Sequence, residues 1–151
     1  MAVYWAKATM PDIFHDFIIK ASPDRVFKAI STPSGLDEWW TKKSSGIPKV
    51  GEEYELNFGP KYIWHARLTK CAEPAEFELE MFNSDPDWNG TRVGFNLRGD
   101  KITNISFHHT GWPDANDHWR ISCFCWAMYL RILRRHLEYG ESVPYEKRLD
   151  V

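Results

Sequence analysis

A chain of 151 residues, 43% hydrophobic and 26% charged, is long enough to bury one sizeable core and requires no second domain. Its formal net charge of −2 gives no global pull toward nucleic acid or an anionic membrane, and no window approaches the roughly 20 apolar residues of a membrane span. Aromatic residues make up 15% of the chain and eight of them are tryptophan, an excess that the fold has to accommodate.

The opening MAVYWAKATMPDIF lacks the basic start and continuous apolar stretch of a secretory signal. Cys71, Cys123 and Cys125 are odd in number and sparse, which suits a reducing compartment better than a disulfide framework, so a cytoplasmic location is expected. HDFIIKA then reads as a first strand with Phe17 and Ile19 on one face. In SPDRVFKAIS, Ser22 can cap a helix, Pro23 suits its first position, and Val26, Phe27 and Ile30 form an apolar stripe. A second short helical turn over PSGLDEWW, capped by Ser34, should end on Trp39 and Trp40. Adjacent helical residues are about 100° apart, so one indole should plug the core and the other lie at a cavity mouth or on the surface.

Period two dominates the middle of the chain. In EEYELNFG, Tyr54, Leu56 and Phe58 alternate with polar residues; YIWHARL sets Tyr62, Trp64, Ala66 and Leu68 against His65 and Arg67. EFELEMF places Phe77, Leu79 and Met81 inward and Glu76, Glu78 and Glu80 on a solvated face. RVGFNLR and ITNISFHH continue the pattern with Val93, Phe95 and Leu97, then Ile105, Phe107 and His109. The turns FGPK, AEPAE, SDPDWNG and RGDK between them favour hairpins, hence an antiparallel meander. From Asp114 a helical period runs to Tyr139 and stops at Gly140. Its stripe is Trp119, Cys123, Trp126, Leu130, Leu133 and Leu137, and at about 1.5 Å per residue the helix is roughly 37 Å long, enough to cross a sheet.

The chemical motifs are weak. Cys123 and Cys125 are separated by roughly 200° on a helix and cannot share one ion, so they read as small buried hydrophobes. His108 and His109 point to opposite faces of a strand. No nucleophile elbow, H-E-x-x-H, phosphate loop or dinucleotide fingerprint occurs, so no catalytic residue, metal or cofactor is assigned. His109 alone turns inward, where it either orients a ligand or braces the TGW turn.

The order of these elements, with IIKASPDRVFKAIST leading into PSGLDEWWT, then VGEEYELNFG and later ISFHHTGWP before the long helix, resembles the START-like (SRPBCC) superfamily. Within it the sequence is most similar to the AHSA1-like branch, related to the activator of Hsp90 ATPase. The resemblance covers about residues 12–140 of a chain read as one START-like domain. It implies an α+β helix-grip (START/Bet v 1-like) fold, with a curved antiparallel sheet wrapped around a long C-terminal helix and two short helices. It also implies a deep apolar cavity, with Trp39 and Trp40 at the family's tryptophan pair and His109 to Trp112 at its H-x-G-aromatic turn. The stretch NSDPDWNGTRVGFNLRGDK is short and polar for the family, and Trp88 has no assigned place in it.

Rigid rings do not collapse freely, so a layer of them between sheet and helix is expected to leave a void. The leading expectation is binding of a small hydrophobic or amphipathic molecule, lipid-like or an aromatic metabolite. Its lining would be Trp39, Trp40, Tyr54, Phe58, Trp64 and Phe77, with Met81, Phe95, Phe107, His109, Trp119 and Trp126. The resemblance implies a second function, a chaperone-associated module whose surface binds an Hsp90-type protein. Family members that stimulate Hsp90 carry a further N-terminal domain, whereas about 11 residues precede the first strand here. A third, a cyclase or hydratase, would use His109 with Tyr54 or Tyr62. Binding rather than catalysis is expected, by a monomer or homodimer, with no nucleic-acid partner and no stable membrane insertion.

Overall fold

The computed structural model describes residues 11–151; residues 1–10, where most of the stretch read for a signal falls, lie outside the described residues. Alternating sequence becomes one antiparallel sheet of β1 (Ile13–Ile19), β2 (Lys43–Ser45), β3 (Glu53–Asn57), β4 (Ile63–Ala72), β5 (Glu76–Asn83), β6 (Arg92–Gly99) and β7 (Thr103–Thr110). The spatial order is β1-β7-β6-β5-β4-β3-β2. The pairings set inward residue against inward residue: Ile13 faces His109 where β1 closes on β7, and in the hairpins Phe77 faces Phe95 and Phe95 faces Phe107. β4 slips register twice against β5, between His65 and Ala66 and again between Leu68 and Lys70. Such irregularities bend a strand and increase its twist, curving the sheet toward the helix.

The helices begin where side chains can satisfy free N–H groups. Ser22 caps α1 (Pro23–Ser31), accepting from the Arg25 N–H as its spacing predicts. The cap of α2 (Pro33–Leu36) is Thr32, not Ser34, because Thr32 Oγ1 is the atom that reaches the Gly35 N–H, at 3.1 Å. The long helix α3 (Asp117–Tyr139) starts at Asp117 rather than Asp114, since Asn116 takes the cap and accepts from the Trp119 N–H. Gly140 ends it at φ 68°. With 23 residues, α3 spans about 35 Å at 1.5 Å per residue.

Three polar ties seat α3 across the concave face beside β1 and α1. His15 Nε2 meets the Cys123 carbonyl at 3.3 Å, the Lys20 N–H donates to Glu138, and the Arg25 guanidinium donates to the Leu137 carbonyl at 3.0 Å. Arg25 thereby satisfies a carbonyl that the end of a helix leaves free. This is the helix-grip arrangement, and among the described residues no helix is long and apolar enough to cross a membrane. Two elements have no periodic signal and were not anticipated: β2, and a 3₁₀ turn over Tyr145–Asp150. Tyr62, read as an inward strand residue, lies before β4 and is 56% exposed.

The packing of α2 on α1 leaves no room at Gly35. A Cβ there would stand 2.6 Å from Ala29 Cα, Ala29 O and Lys28 O, all backbone atoms. Backbone cannot swing aside as a flexible side chain can, so Gly35→Ala is expected to destabilise the protein by about 2–3 kcal/mol, as overpacking does. Urea denaturation read by far-UV circular dichroism checks this, and an unchanged midpoint would mean that the two helices part freely.

Candidate functional site

The turn after α2 carries the tryptophan pair inside. The N–H groups of Trp39, Trp40 and Thr41 all converge on the Leu36 carbonyl, so the chain departs from regular helix and the 100° rule fails. Both indoles are buried, at 0% and 3% exposure, and stack on each other at 5.9 Å and 22°. Trp39 Nε1–H is satisfied by the Ala29 carbonyl at 3.0 Å. The expectation that one ring sits at a mouth or on the surface is therefore corrected: they act as one slab.

From this slab a continuous aromatic layer runs between sheet and α3. Trp40 contacts Trp126 at 5.2 Å and Phe58 at 5.5 Å; Phe58 contacts Trp64 at 5.0 Å; Trp126 contacts Phe107 at 4.7 Å. Phe95 bridges Trp39 and Phe107, and Tyr54 meets Phe77 edge-on while its hydroxyl donates to the Ser31 carbonyl at 2.6 Å. Burial raises the Tyr54 phenol above its ordinary range. Met81 is fully buried and Trp119 half-buried at the edge of this layer. Rings at these separations pack as aromatic pairs normally do.

Three clefts in the described surface lie away from this layer. One of about 180 Å³ opens between β1 and α3, at His15, Phe17, Leu130 and Arg134. Another of about 400 Å³ lies between the small helices and the end of α3, and one of about 460 Å³ between α3 and the C-terminal segment. None of these is lined by the residues expected to form a ligand cavity.

His109 occupies the centre of the layer at 0% exposure. Trp126 Nε1–H donates to its Nδ1 at 3.0 Å, which leaves Nε2 to carry the proton and donate to Thr91 Oγ1 at 2.8 Å. The Thr91 hydroxyl in turn donates to the Trp88 carbonyl at 2.6 Å. Burial, then the neighbouring His108 and His118, pull His109 down from 6.5 to about 3. It is a neutral imidazole with both nitrogens engaged. Tyr54 and Tyr62, its suggested catalytic helpers, are not beside it: one is tied to Ser31 and the other is exposed.

Trp88 is the residue that sequence reasoning left out. It comes from the SDPDWNG turn, yet it is 7% exposed and touches Trp64, His109 and Trp126 at 5.0, 4.5 and 5.7 Å. An indole in a polar turn was the one available signal. On the outer face, the expected solvated row of Glu76, Glu78 and Glu80 is also corrected, because Glu78 is 4% exposed. His108 reaches over Gly94, where a Cβ would lie 2.5 Å from its ring, to bond Glu78 at 2.8 Å, and Thr69 bonds the other carboxylate oxygen. Burial alone would raise the Glu78 carboxyl, but hydrogen bonds from Thr69 and His108 outweigh it and hold it below the usual range. The Cys125 thiol, shifted up by burial, is not poised as a nucleophile.

A helix-grip sheet closed on an aromatic layer defines a START-like protein, and the comparisons agree. The model of the activator of Hsp90 ATPase homolog 1-like protein family matches residues 20–138, and the chain belongs to this family. The Aha1 dimer from Colwellia psychrerythraea is 29% identical, with 87% of this chain and 98% of that one covered at a TM-score of 0.79. Protein SSP2350 from Staphylococcus saprophyticus, at 16% identity, 87% and 95% coverage and a TM-score of 0.73, shares the fold. So does BH1534 from Bacillus halodurans, at 21%, 85% and 98% coverage and 0.71. No curated protein matches the chain.

The neutral His109 makes stability depend on pH. In the unfolded chain its imidazole protonates near 6.5, and in the folded protein near 3. Between these values the unfolded state binds more protons, so stability falls as pH drops, by up to about 1.4 kcal/mol per unit. Urea denaturation from about pH 6.5 to 4.5, where this histidine titrates ahead of the carboxylates, should reveal the slope, and His109→Gln should flatten it. Equal slopes in the two proteins would mean that His109 is charged in the fold.

Proposed function

We propose that this protein works through its outer surface as a protein-binding module, with a chaperone of the Hsp90 type as its partner. The observation that carries this reading is the pair Ile121 and Phe124, 60% and 77% exposed and one turn apart on the solvent side of α3. Covering side chains of this size is worth about 1.5–3 kcal/mol each, and a rigid helix presents them at little entropic cost, as anchors of an interface do. The family's described relation to Hsp90 ATPase supports the same reading. Captured on resin, the protein is expected to retain the Hsp90-type chaperone of its own host and to raise its ATP hydrolysis. Phe124→Glu should weaken capture at least about tenfold without moving the melting temperature. If the wild type captures no chaperone, or the variant captures it equally well, this surface is not the interface.

Carriage of a small apolar or amphipathic molecule is a second reading, supported by the C-terminal segment. Tyr145 donates to the Phe58 carbonyl at 2.8 Å, and buried Arg148 donates to the carbonyls of Asp37, Thr41 and Val143 at 2.6, 3.0 and 3.2 Å. These bonds tie the segment to the turn that carries Trp40. Its release would open a path to the ring layer, whose Trp39, Trp40, Phe58 and Trp126 would then part around the guest. On this reading native mass spectrometry finds a retained molecule whose occupancy changes in Arg148→Ala. Bare protein in both cases ends it.

A further inference from the structure

The SDPDWNG turn that placed Trp88 in the core also brings two carboxylates to the start of α3. Asp85 Oδ1 and Asp87 Oδ2 lie 3.4 and 3.0 Å from His118 Nδ1, and the three ligating atoms all fall within 4.8 Å of one another. Donor atoms around a four-coordinate ion, bound at about 2.0–2.2 Å, stand roughly 3.3–3.6 Å apart, so the His118 nitrogen already stands near that spacing from both carboxylates, and sharing one ion asks of the side chains shifts of no more than about an ångström. We propose that Asp85, Asp87 and His118 form a site for a divalent first-row metal ion such as Mn²⁺ or Zn²⁺, clamping the β5–β6 turn to the beginning of α3.

Supporting groups hold the three donors in place. Asn116 caps α3 with its Oδ1, while its Nδ2 holds Asp87 Oδ2 at 3.3 Å. The His118 ring is sandwiched by indoles, with Trp88 parallel at 6.5 Å and 22° and Trp112 edge-on at 5.5 Å and 83°. Ligands oriented in this way bind metals better than free ones. One imidazole and two carboxylates form a mixed nitrogen and oxygen set suited to Mn²⁺ and Zn²⁺. The donors are about a third exposed, which leaves coordination positions open to water.

A second observation comes from the rings themselves. Among the described residues, the buried polar side-chain atoms without any partner include the indole N–H groups of Trp88 and Trp112. Both belong to the rings packed on His118, and both side chains are more than nine-tenths buried. A buried donor without an acceptor is costly and asks for an explanation. Both rings border the His118 imidazole, and oxygens on a hydrated ion at this corner would offer them acceptors that the protein does not. The positive end of α3 opposes a cation here, and the two carboxylates, joined by Asp117 in the first turn, provide the compensating charge.

Mn²⁺ titration followed by the free-ion electron paramagnetic resonance signal tests the site, with Zn²⁺ as competitor. Mn²⁺ binds thiolates poorly, so it reports oxygen and nitrogen donors and not Cys71. One saturable equivalent is expected, displaced by Zn²⁺, with a rise in melting temperature on loading. Asp87→Asn, nearly the same shape, should weaken binding at least about tenfold, and His118→Ala at least as much. Circular dichroism of the metal-free variants verifies that they fold. No saturable uptake at about millimolar Mn²⁺, or equal uptake by wild type and the folded Asp87→Asn variant, overturns the proposal and leaves an ion pair of His118 with the two aspartates.

Discussion

The Trp126 N–H sets the terms for everything around it. It lies in a layer from which water is excluded, and a buried donor without an acceptor costs about 1–3 kcal/mol. Its acceptor is His109 Nδ1, so that nitrogen has to be bare. The ring proton then has to sit on Nε2, Thr91 has to receive it, and the Thr91 proton has to go to the Trp88 carbonyl. Each link leaves the next with one remaining direction. A helix, a strand and a turn are joined by a chain of bonds whose polarity cannot be reversed while the imidazole stays neutral.

That chain also explains how the aromatic layer is ordered. Flat rings are held most firmly where a polar edge finds a partner within the layer. Trp39 is bonded to Ala29, Tyr54 to Ser31 and Trp126 to His109, which fixes the orientation of three rings before any packing preference is considered. The remaining rings pack against these and one another at tilted and edge-on angles. Distinctive chemistry consequently moves outward, to the exposed ridge of α3 and to the corner where Asp85 and Asp87 meet His118.

Much of the fold was legible because it depends on local periodicity. Tyr54 and Leu56 alternate and are buried, Ser22 precedes Pro23 and caps, and Gly140 follows the last apolar residue of α3 and ends it. The family was legible for the same reason, since its motifs are turn and aromatic positions spread along most of the chain. What sequence reading missed depends on neighbours distant in sequence. Glu78 alternates as a surface residue, yet it is covered because Gly94 lets His108 lie flat across the intervening strand. Trp39 and Trp40 share a side because a single carbonyl gathers three N–H groups, which no spacing rule anticipates. β2 is too short to have a period. The acidic turn and His118 are about thirty residues apart, and the strand register that sets Arg92 opposite Thr110 brings them to the same end of the sheet.

Arg148 is expected to leave a one-sided evolutionary record. All its acceptors are main-chain carbonyls, and every amino acid brings one. Positions 37, 41 and 143 can therefore drift in identity without loosening the clasp, whereas position 148 has to remain a planar, multiply donating cation that lysine imitates poorly. Covariation between the two ends of this contact would be silent, and the tether would have to be recognised in related chains by a solitary invariant arginine near the C-terminus.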